Sequence, residues 1–260
     1  MNANLKKTKI VCTIGPASES EKTITGLCKA GMNVARLNFS HNTHEDHQRR
    51  IDLVKKVRSE LKMPIAIMLD TKGPEYRIKT FKDGKITLND GDKFTFTTDD
   101  IIGDEAKVAV SYPNLPNELS VGDTILLNNG LLTFEVVNID GTNIECTVVI
   151  GGELSDRKSM SFPGKVMKQE YLSEQDKKDI AFGVQNDVDY IACSFVSKKQ
   201  DLIDVHNYLK ELNADDIELI AKIENQSGFD NIEEICEECD GIMIARGDMG
   251  VEIPFEDVPS

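Results

Sequence analysis

The chain has 260 residues, of which 40% are hydrophobic and 29% are charged, so it is long enough to bury a sizeable core. Acidic residues outnumber basic ones by 45 to 30, and the net charge of −15 argues against binding to nucleic acid or to an anionic membrane surface. The sequence contains no apolar run of about 18 residues, and its start lacks the pattern of a signal peptide. We therefore expect a globular cytoplasmic protein.

Short apolar segments rich in β-branched residues alternate with amphipathic segments along the chain. Six of them are predicted strands, in chain order KIVCTIG, NVARLNF, IAIMLDT, YIACSFV, ELIAKIE and GIMIARG. The ends of the intervening helices are marked by Gly31, by Thr43, by Ser173 with Asp176, and by Ser197 with Gln200. Repetition of strand and helix predicts a parallel sheet covered by helices.

Between the third and fourth predicted strands the pattern changes to alternating polar and apolar residues with hairpin signals. Asp-Gly at 90–91, Asn-Gly at 129–130 and Asp-Gly at 140–141 occupy turn positions there. We predict an α/β protein of the (β/α)₈ TIM-barrel type over residues 1–77 and 165–260, with an inserted all-β barrel lid domain over residues 78–164. Without the insertion about 170 residues remain, enough for six strand–helix units and not for the eight of a closed barrel.

Polar side chains stand at the C-terminal ends of four predicted strands. They are Arg36, Asn38 and Ser40 on the second strand, Asp70 and Thr71 on the third, Lys222 and Glu224 on the fifth, and Asp248 after the sixth. Parallel α/β folds place their active sites at this end of the sheet. One such residue alone could belong to a structural ion pair, as Lys222 beside Glu224 could. Four strands that share the feature favour an active site.

Asp248 lies in an RGD sequence, but we expect it at a strand end before a turn and not in an adhesive loop. Gly247 and Gly250 flank it, which leaves backbone N–H groups available for an anion. Glu224 and Asp248 are hard oxygen ligands of the type that binds Mg²⁺. Lys222 is placed to neutralise charge on a transferring group.

Other chemistry receives less support from the sequence. His44 and His47 open a predicted amphipathic helix that faces solvent, and His206 is expected on a helix surface. Cys236 and Cys239 form a CxxC in a helix-like segment without a second pair, so a metal or redox role is disfavoured. All six cysteines are scattered along the chain, mostly within apolar runs, where reduced, buried thiols are the simplest state.

Five segments closely resemble the motifs of the pyruvate kinase family: TKIVCTIGPAS, GMNVARLNFSH, LDTKGPEYR, KIENQSG and DGIMIARGDMGVEIP. The resemblance implies a (β/α)₈ barrel with an inserted β-barrel lid. It also implies the final reaction of glycolysis, in which phosphoenolpyruvate and ADP give pyruvate and ATP with Mg²⁺ (or Mn²⁺) and K⁺.

The roles that the resemblance implies follow the motifs residue by residue. They are catalysis by Lys222 and Arg36; substrate binding by Arg36, Lys222, Gly247 and Asp248; nucleotide binding by Asn38, His41, Arg77 and Lys158; Mg²⁺ binding by Glu224 and Asp248; and K⁺ binding by Asn38, Ser40, Asp70 and Thr71. Glu75 resembles the form of its motif that goes with K⁺ dependence.

The sequence departs from the family pattern at three places that concern the lid and the nucleotide contacts, one of which is KSMSFPG at 158–164 in place of KGVNLPG. Asn128 and Asn129 replace two aspartates in a lid turn, and Gln169 and Glu170 replace a Leu-Pro pair. Two barrel units, a substrate-contacting threonine and the C-terminal domain that supports the usual homotetramer have no match here. We therefore expect little or no kinase activity from this chain alone. The alternatives are a non-catalytic partial barrel that binds a phosphometabolite or metal, and an aldolase-like barrel enzyme.

Overall fold

The computed structural model describes residues 7–165 and 167–253. Its strands are β1 (Val11–Thr13), β2 (Val34–Asn38), β3 (Ala66–Asp70), β4 (Tyr76–Arg77), β5 (Lys85–Leu88), β6 (Lys93–Thr97), β7 (Lys107–Ala109), β8 (Thr124–Leu127), β9 (Leu132–Asp140), β10 (Asn143–Ile150), β11 (Gly152–Ser155), β12 (Ser159–Ser161), β13 (Tyr190–Cys193), β14 (Glu218–Ile223) and β15 (Gly241–Ile244). Its helices are α1 (Glu21–Ala30), α2 (His44–Leu61), α3 (Glu174–Gln185), α4 (Lys199–Glu211), α5 (Gln226–Asp230), α6 (Ile232–Cys236) and α7 (Arg246–Glu252), with a 3₁₀ turn at Leu115–Asn117.

The six predicted strands form one sheet in the order β1-β2-β3-β13-β14-β15. The pairs from β1 to β14 are parallel, and Asp70 at the end of β3 lies opposite Asn38 on one side and Ala192 on the other. Parallel neighbours require a crossover, and the amphipathic segments supply it as helices. The predicted α/β class is confirmed.

Side chains on the two faces of this sheet differ, as the strand period of two requires. On one face, the residues Ala35, Leu37, Ile67, Leu69, Ile191, Leu219 and Ala221 are fully buried. Leu69 packs against α3 at Gly183, where an added Cβ would lie 2.6 Å from the leucine Cδ1. On the other face, Val34, Met68 and Ala192 form a small apolar cluster. Further along that face the side chains become polar.

Helix ends follow local capping chemistry at three of the four predicted places. Gly31 ends α1 with φ 111°, a left-handed conformation that glycine adopts without strain. Thr43 and Ser173 begin α2 and α3, each with a reciprocal capping box. The prediction that Ser197 and Gln200 open a helix is wrong by one residue: α4 begins at Lys199.

The correction at α4 has a simple electrostatic reason. The backbone N–H groups of Ser197 and Lys198 both donate to Oδ2 of Asp201, at 2.8 and 3.2 Å. Asp201 is therefore the residue that satisfies the donors at this helix start. A carboxylate accepts such bonds better than the neutral amide of Gln200.

His47 on α2 is a second correction, because it does not face solvent. It is buried, and its ring stacks on Phe39 with a centroid separation of 4.0 Å and an interplanar angle of 9°. Its Nε2 lies 2.9 Å from the carbonyl oxygen of His41. His44 is partly buried and forms a 2.6 Å contact with Asp179 on α3. Both histidines are structural members of the helix layer.

The inserted segment folds as β-structure around an aromatic core that includes Phe94, Phe96 and Phe134. One sheet has the order β4-β12-β8-β9-β10-β6-β7, and β11 and β5 form a separate pair. Asn-Gly at 129–130 and Asp-Gly at 140–141 connect antiparallel neighbours, as predicted. The Asp-Gly at 90–91 does not, because β5 and β6, on either side of it, belong to different sheets.

The turn between β8 and β9 has a left-handed backbone conformation that suits two asparagines. Asn128 and Asn129 have φ of 52° and 56°, and Gly130 follows with φ 77°. Asparagine tolerates the left-handed region better than most other residues. The local backbone therefore accounts for Asn-Asn-Gly without reference to a carboxylate.

The described chain divides into two compact units. One comprises residues 7–73, 171–223 and 231–243, and the other comprises 74–165, 167–170, 224–230 and 244–253. Within the described ranges, none of the helices combines the length and apolar character needed to cross a membrane.

Candidate active site

A buried ammonium group stands at the C-terminal end of the parallel sheet. Lys222, the fifth residue of β14, is only 7% exposed. Its Nζ lies 3.0 Å from Oδ1 of Asp70 and 2.7 Å from Oγ of Ser194. A buried lysine requires such partners, because desolvation disfavours its charged form. The ammonium group on β14 therefore contacts polar side chains at the ends of β13, its neighbour in the sheet, and of β3, the next strand along.

A second cation contacts the same carboxylate. Arg36 on β2 donates from Nε to Oδ2 of Asp70, which is 1% exposed, and from Nη1 to the Thr13 hydroxyl on β1 at 2.7 Å. Two cationic side chains thus share one buried carboxylate. Cationic side chains in a poorly hydrated place favour an anionic ligand such as a phosphate.

Ser194, which directly follows β13, is the residue at this cluster that sequence reasoning missed. It is 2% exposed and contacts Lys222, Asp70 and Thr71. A signal was available, because Ser194 occupies the end of the fourth predicted strand, just as Asp70 and Thr71 occupy the end of the third.

The four oxygen-bearing residues predicted for K⁺ lie at adjacent strand ends. Asn38 is in register with Asp70, and its Oδ1 accepts from the Ser40 N–H at 2.9 Å. The Thr71 hydroxyl donates to the Ala192 carbonyl at 3.3 Å. Carboxylate, amide and hydroxyl oxygens are hard donors that suit a monovalent or divalent hard cation. The donor set therefore fits the implied ion.

The two carboxylates predicted for Mg²⁺ follow β14 and β15. Glu224 is buried directly after β14, whereas Asp248 is exposed in the first turn of α7. Asp248 thus lies in the short helix α7, which begins at Arg246, and not in the predicted turn. Both belong to the second compact unit, whereas Lys222 belongs to the first. Their ligand chemistry fits Mg²⁺, and their meeting with Lys222 stays a prediction.

Two of the residues predicted to bind nucleotide, Arg77 and Lys158, lie on neighbouring segments of the second compact unit. Arg77 on β4 pairs in register with Ser159, and the adjacent Ile78 N–H donates to the Lys158 carbonyl at 3.0 Å. Arg77 also forms an ion pair with Glu75. A guanidinium and an ammonium group are each suited to bind phosphate. His41 is exposed in the connection between β2 and α2, in the other unit.

The family model for the pyruvate kinase barrel domain matches residues 5–260 of the chain. The chain belongs to the pyruvate kinase family. It is 49% identical over 257 residues to a pyruvate kinase of Staphylococcus haemolyticus strain JCSC1435 and 49% identical to one of Staphylococcus aureus strain MRSA252. It is 45% identical over 256 residues to a pyruvate kinase of Clostridium perfringens strain 13.

These pyruvate kinases are considerably longer than the chain. Each alignment covers 98% of the chain but only 44% of the two staphylococcal proteins and 54% of the clostridial one. The chain thus spans about half the length of the curated relatives it matches. The region of likeness includes the parallel sheet, the buried cluster and the inserted β-structure.

Burial keeps four of the six cysteines of this pyruvate kinase family chain from being activated thiols. Burial raises the pKa of Cys146 to about 12 and raises the pKa values of Cys28, Cys193 and Cys239. A raised pKa keeps a thiol protonated and weakly nucleophilic at neutral pH. Cys236 at the end of α6 is exposed, so the expectation of buried thiols does not hold for it.

Proposed function

We propose that this chain is the catalytic region of a pyruvate kinase. The reaction breaks the bond between phosphorus and the enol oxygen of phosphoenolpyruvate and forms a bond to a terminal oxygen of ADP. The enol that leaves takes up a proton at carbon and becomes pyruvate, and ATP is the second product. One observation carries the proposal: Lys222 and Arg36 are held on one buried carboxylate at the active-site end of a sheet from this family.

Charge neutralisation is the role we assign to the two cations. Phosphoryl transfer demands positioning and electrostatic stabilisation more than covalent participation by the protein. Lys222 would stabilise the charge that develops on the transferring group. Arg36 would hold the substrate phosphate, with backbone donors at Gly247. Their shared partner Asp70 fixes both side chains before substrate arrives, which reduces reorganisation during the reaction.

Metal ions would complete this charge arrangement. Glu224 and Asp248 would hold Mg²⁺, and Asn38, Ser40, Asp70 and Thr71 would hold K⁺. Bound there, the ions supply positive charge to phosphate oxygens. The carboxylate of Asp70 would then serve both the K⁺ site and Lys222. In the lid, Arg77 and Lys158 would contact the phosphates of the nucleotide, together with His41 and Asn38.

A coupled assay of pyruvate formation tests the proposal. It should be run on the longest natural polypeptide that contains this sequence, with phosphoenolpyruvate and ADP, and with Mg²⁺ and K⁺ each present or omitted. We expect turnover that requires Mg²⁺ and rises with K⁺. Absence of turnover, combined with saturable binding of phosphoenolpyruvate in calorimetry, would replace the proposal with a non-catalytic binding role. Mg²⁺-dependent cleavage of a pyruvate-derived aldol without any response to K⁺ would point to an aldolase.

A further inference from the structure

We infer that Ser194 is a positioning residue, whose hydroxyl fixes the Lys222 ammonium group at the place from which it acts on the transferring phosphoryl group. The inference deepens the proposed function and rests on it. The Ser194 Oγ lies 2.7 Å from Lys222 Nζ, closer than the 3.0 Å to Asp70. An ammonium group has three donors and needs more than one acceptor to fix its direction.

The protons of the cluster can be assigned from the distances. A hydroxyl has one proton, and Ser194 Oγ lies 2.7 Å from the Thr71 carbonyl oxygen and 3.1 Å from Asp70 Oδ1. We assign the proton to the carbonyl, because it is the closer acceptor, and the Ser194 oxygen then accepts from the ammonium group. Ser194 therefore accepts from Lys222 and donates to the end of β3. These two hydrogen bonds connect the Lys222 ammonium group to the end of β3, the strand that bears Asp70.

The backbone of Ser194 is itself fixed on both sides. Its N–H donates to the Thr71 hydroxyl at 3.1 Å, and its carbonyl accepts from the Tyr171 hydroxyl at 2.8 Å. Gly73 approaches so closely that a Cβ there would lie 2.5 Å from the Ser194 carbonyl oxygen. A side chain anchored in this way cannot follow Lys222 if the lysine shifts. The serine thus sets the position of the lysine, and not the reverse.

Backbone strain next to Ser194 supports the same conclusion. Phe195 has φ 56°, a conformation that a bulky aromatic residue rarely adopts. Such strain persists only where surrounding contacts fix the chain, and it concentrates at functional sites. Ser194 continues the face of Ala192, which by the pairing of β13 with β14 is also the face of Lys222. The strained turn at Phe195 therefore directly follows a hydroxyl that already lies on the side of the ammonium group.

The test compares Ser194→Ala, Ser194→Thr and Tyr171→Phe in the longest natural polypeptide that contains this sequence. Ser194→Ala removes the acceptor from Lys222 and should lower kcat by about 10²-fold, the effect typical of a displaced catalytic group, with a much smaller change in KM for phosphoenolpyruvate. Ser194→Thr keeps the hydroxyl and should recover most of the turnover. Tyr171→Phe removes a bond to the same serine but leaves its hydroxyl, and should lower thermal stability while keeping kcat within about twofold.

A second readout does not depend on activity. Proton–nitrogen correlation spectra of the lysine ammonium groups report how fast their protons exchange with water, and Lys222→Arg identifies the Lys222 signal. We expect slow exchange in the wild type and in Tyr171→Phe, and faster exchange in Ser194→Ala. Unchanged exchange in a folded Ser194→Ala, or kcat within twofold of the wild type, would overturn the inference. A wild type without turnover would overturn the proposed function, while the spectra would still decide whether Ser194 holds Lys222.

Discussion

Lys222 is buried beside Asp70 and Ser194, where water is largely excluded. Buried ion pairs often contribute no more to folding than apolar residues of similar size, because desolvation offsets the attraction. Asp70 would retain Arg36 as a partner if Lys222 were replaced. Arg36 would thus remain as a cationic partner of the carboxylate, and under the proposed function Lys222 would stabilise the charge that develops during the reaction.

The first prediction concerns Lys222→Met, which keeps much of the side-chain length and removes the charge. We expect turnover to fall by about 10² to 10³-fold, as when one preorganised donor is removed from an active site. The matched control is Lys56→Met, because Lys56 forms a surface ion pair with Glu21. Steady-state kinetics and circular dichroism on both variants provide the comparison. Equal losses in the two variants would contradict the assigned role.

The second prediction concerns the buried ring of His47. Burial is the main cause that lowers its pKa below 6.5, with the cation of Arg50 acting in the same direction and the His41 carbonyl and Asp179 opposing it. The charge of His44 also acts to lower it. The unfolded chain therefore takes up the proton first as the pH falls. The contribution of His47 to stability is complete above about pH 6.5 and declines below it, down to the folded-state pKa.

Replacement of His47 by Gln should flatten this pH dependence. The Gln amide can still donate to the His41 carbonyl, while the titrating group is gone. Urea unfolding at several pH values between 7.5 and 5 measures the slope, which for one group cannot exceed about 1.4 kcal/mol per pH unit. His206→Gln, a partly buried histidine on α4, serves as the control. An unchanged slope in His47→Gln would show that other groups dominate.

At the scale of elements, the junction between β3 and the inserted segment depends on a close approach of backbone. Gly73 has φ 66°, and its N–H donates to Asp176 in the first turn of α3 at 3.1 Å. The Ser194 carbonyl occupies the space in which a side chain would lie. Gly73, shortly after β3, thus contacts both the first turn of α3 and the turn after β13.

The third prediction is that Gly73→Ala destabilises the protein more than Gly84→Ala. Both glycines have positive φ, 66° and 75°, so both variants carry the left-handed strain of about 1 to 2 kcal/mol. Only the Gly73 variant also meets backbone, since nothing lies within 4 Å of a Cβ at Gly84. Thermal unfolding of the two variants isolates the contact. Equal melting temperatures would mean that the Ser194 carbonyl moves aside easily.

At the scale of the whole molecule, the parallel sheet has open sides within the described residues. Its outer strands are β1 and β15. Val11 on β1 and Ile242 and Ile244 on β15 are each at least 40% exposed. Outer strands with apolar side chains and unpaired backbone groups tend to pair with other chains.

The fourth prediction is that the 260-residue polypeptide self-associates through these strands. Ile244→Lys places a charge on the outer strand β15. The variant should therefore need a higher protein concentration than the wild type for half of the chains to be associated. Ile102→Lys provides the matched control, because Ile102 is 71% exposed in the inserted segment and does not belong to the parallel sheet. Sedimentation velocity over a range of concentrations is the measurement. If both variants behave as the wild type does, the outer strands do not drive association.

Local pattern sufficed for the strands, for three of the four helix ends and for two of the three hairpin turns. Alternation and capping depend on residues a few positions apart, so a sequence displays them directly. The polar strand ends were visible for the same reason, since the carboxyl ends of parallel strands share one edge. Gly31, Thr43 and Ser173 illustrate how little beyond local chemistry such predictions require.

Tertiary structure decided what depends on pairing across long stretches of chain. Lys222 meets Asp70 across 152 positions, and Ser194 joins them from a third strand. The burial of His47 required Phe39 and the helix layer, and the role of Asp-Gly at 90–91 depended on which sheet each flanking strand entered. Which strands become neighbours depends on how all the strands of the sheet pack together. A short stretch of sequence does not contain that information.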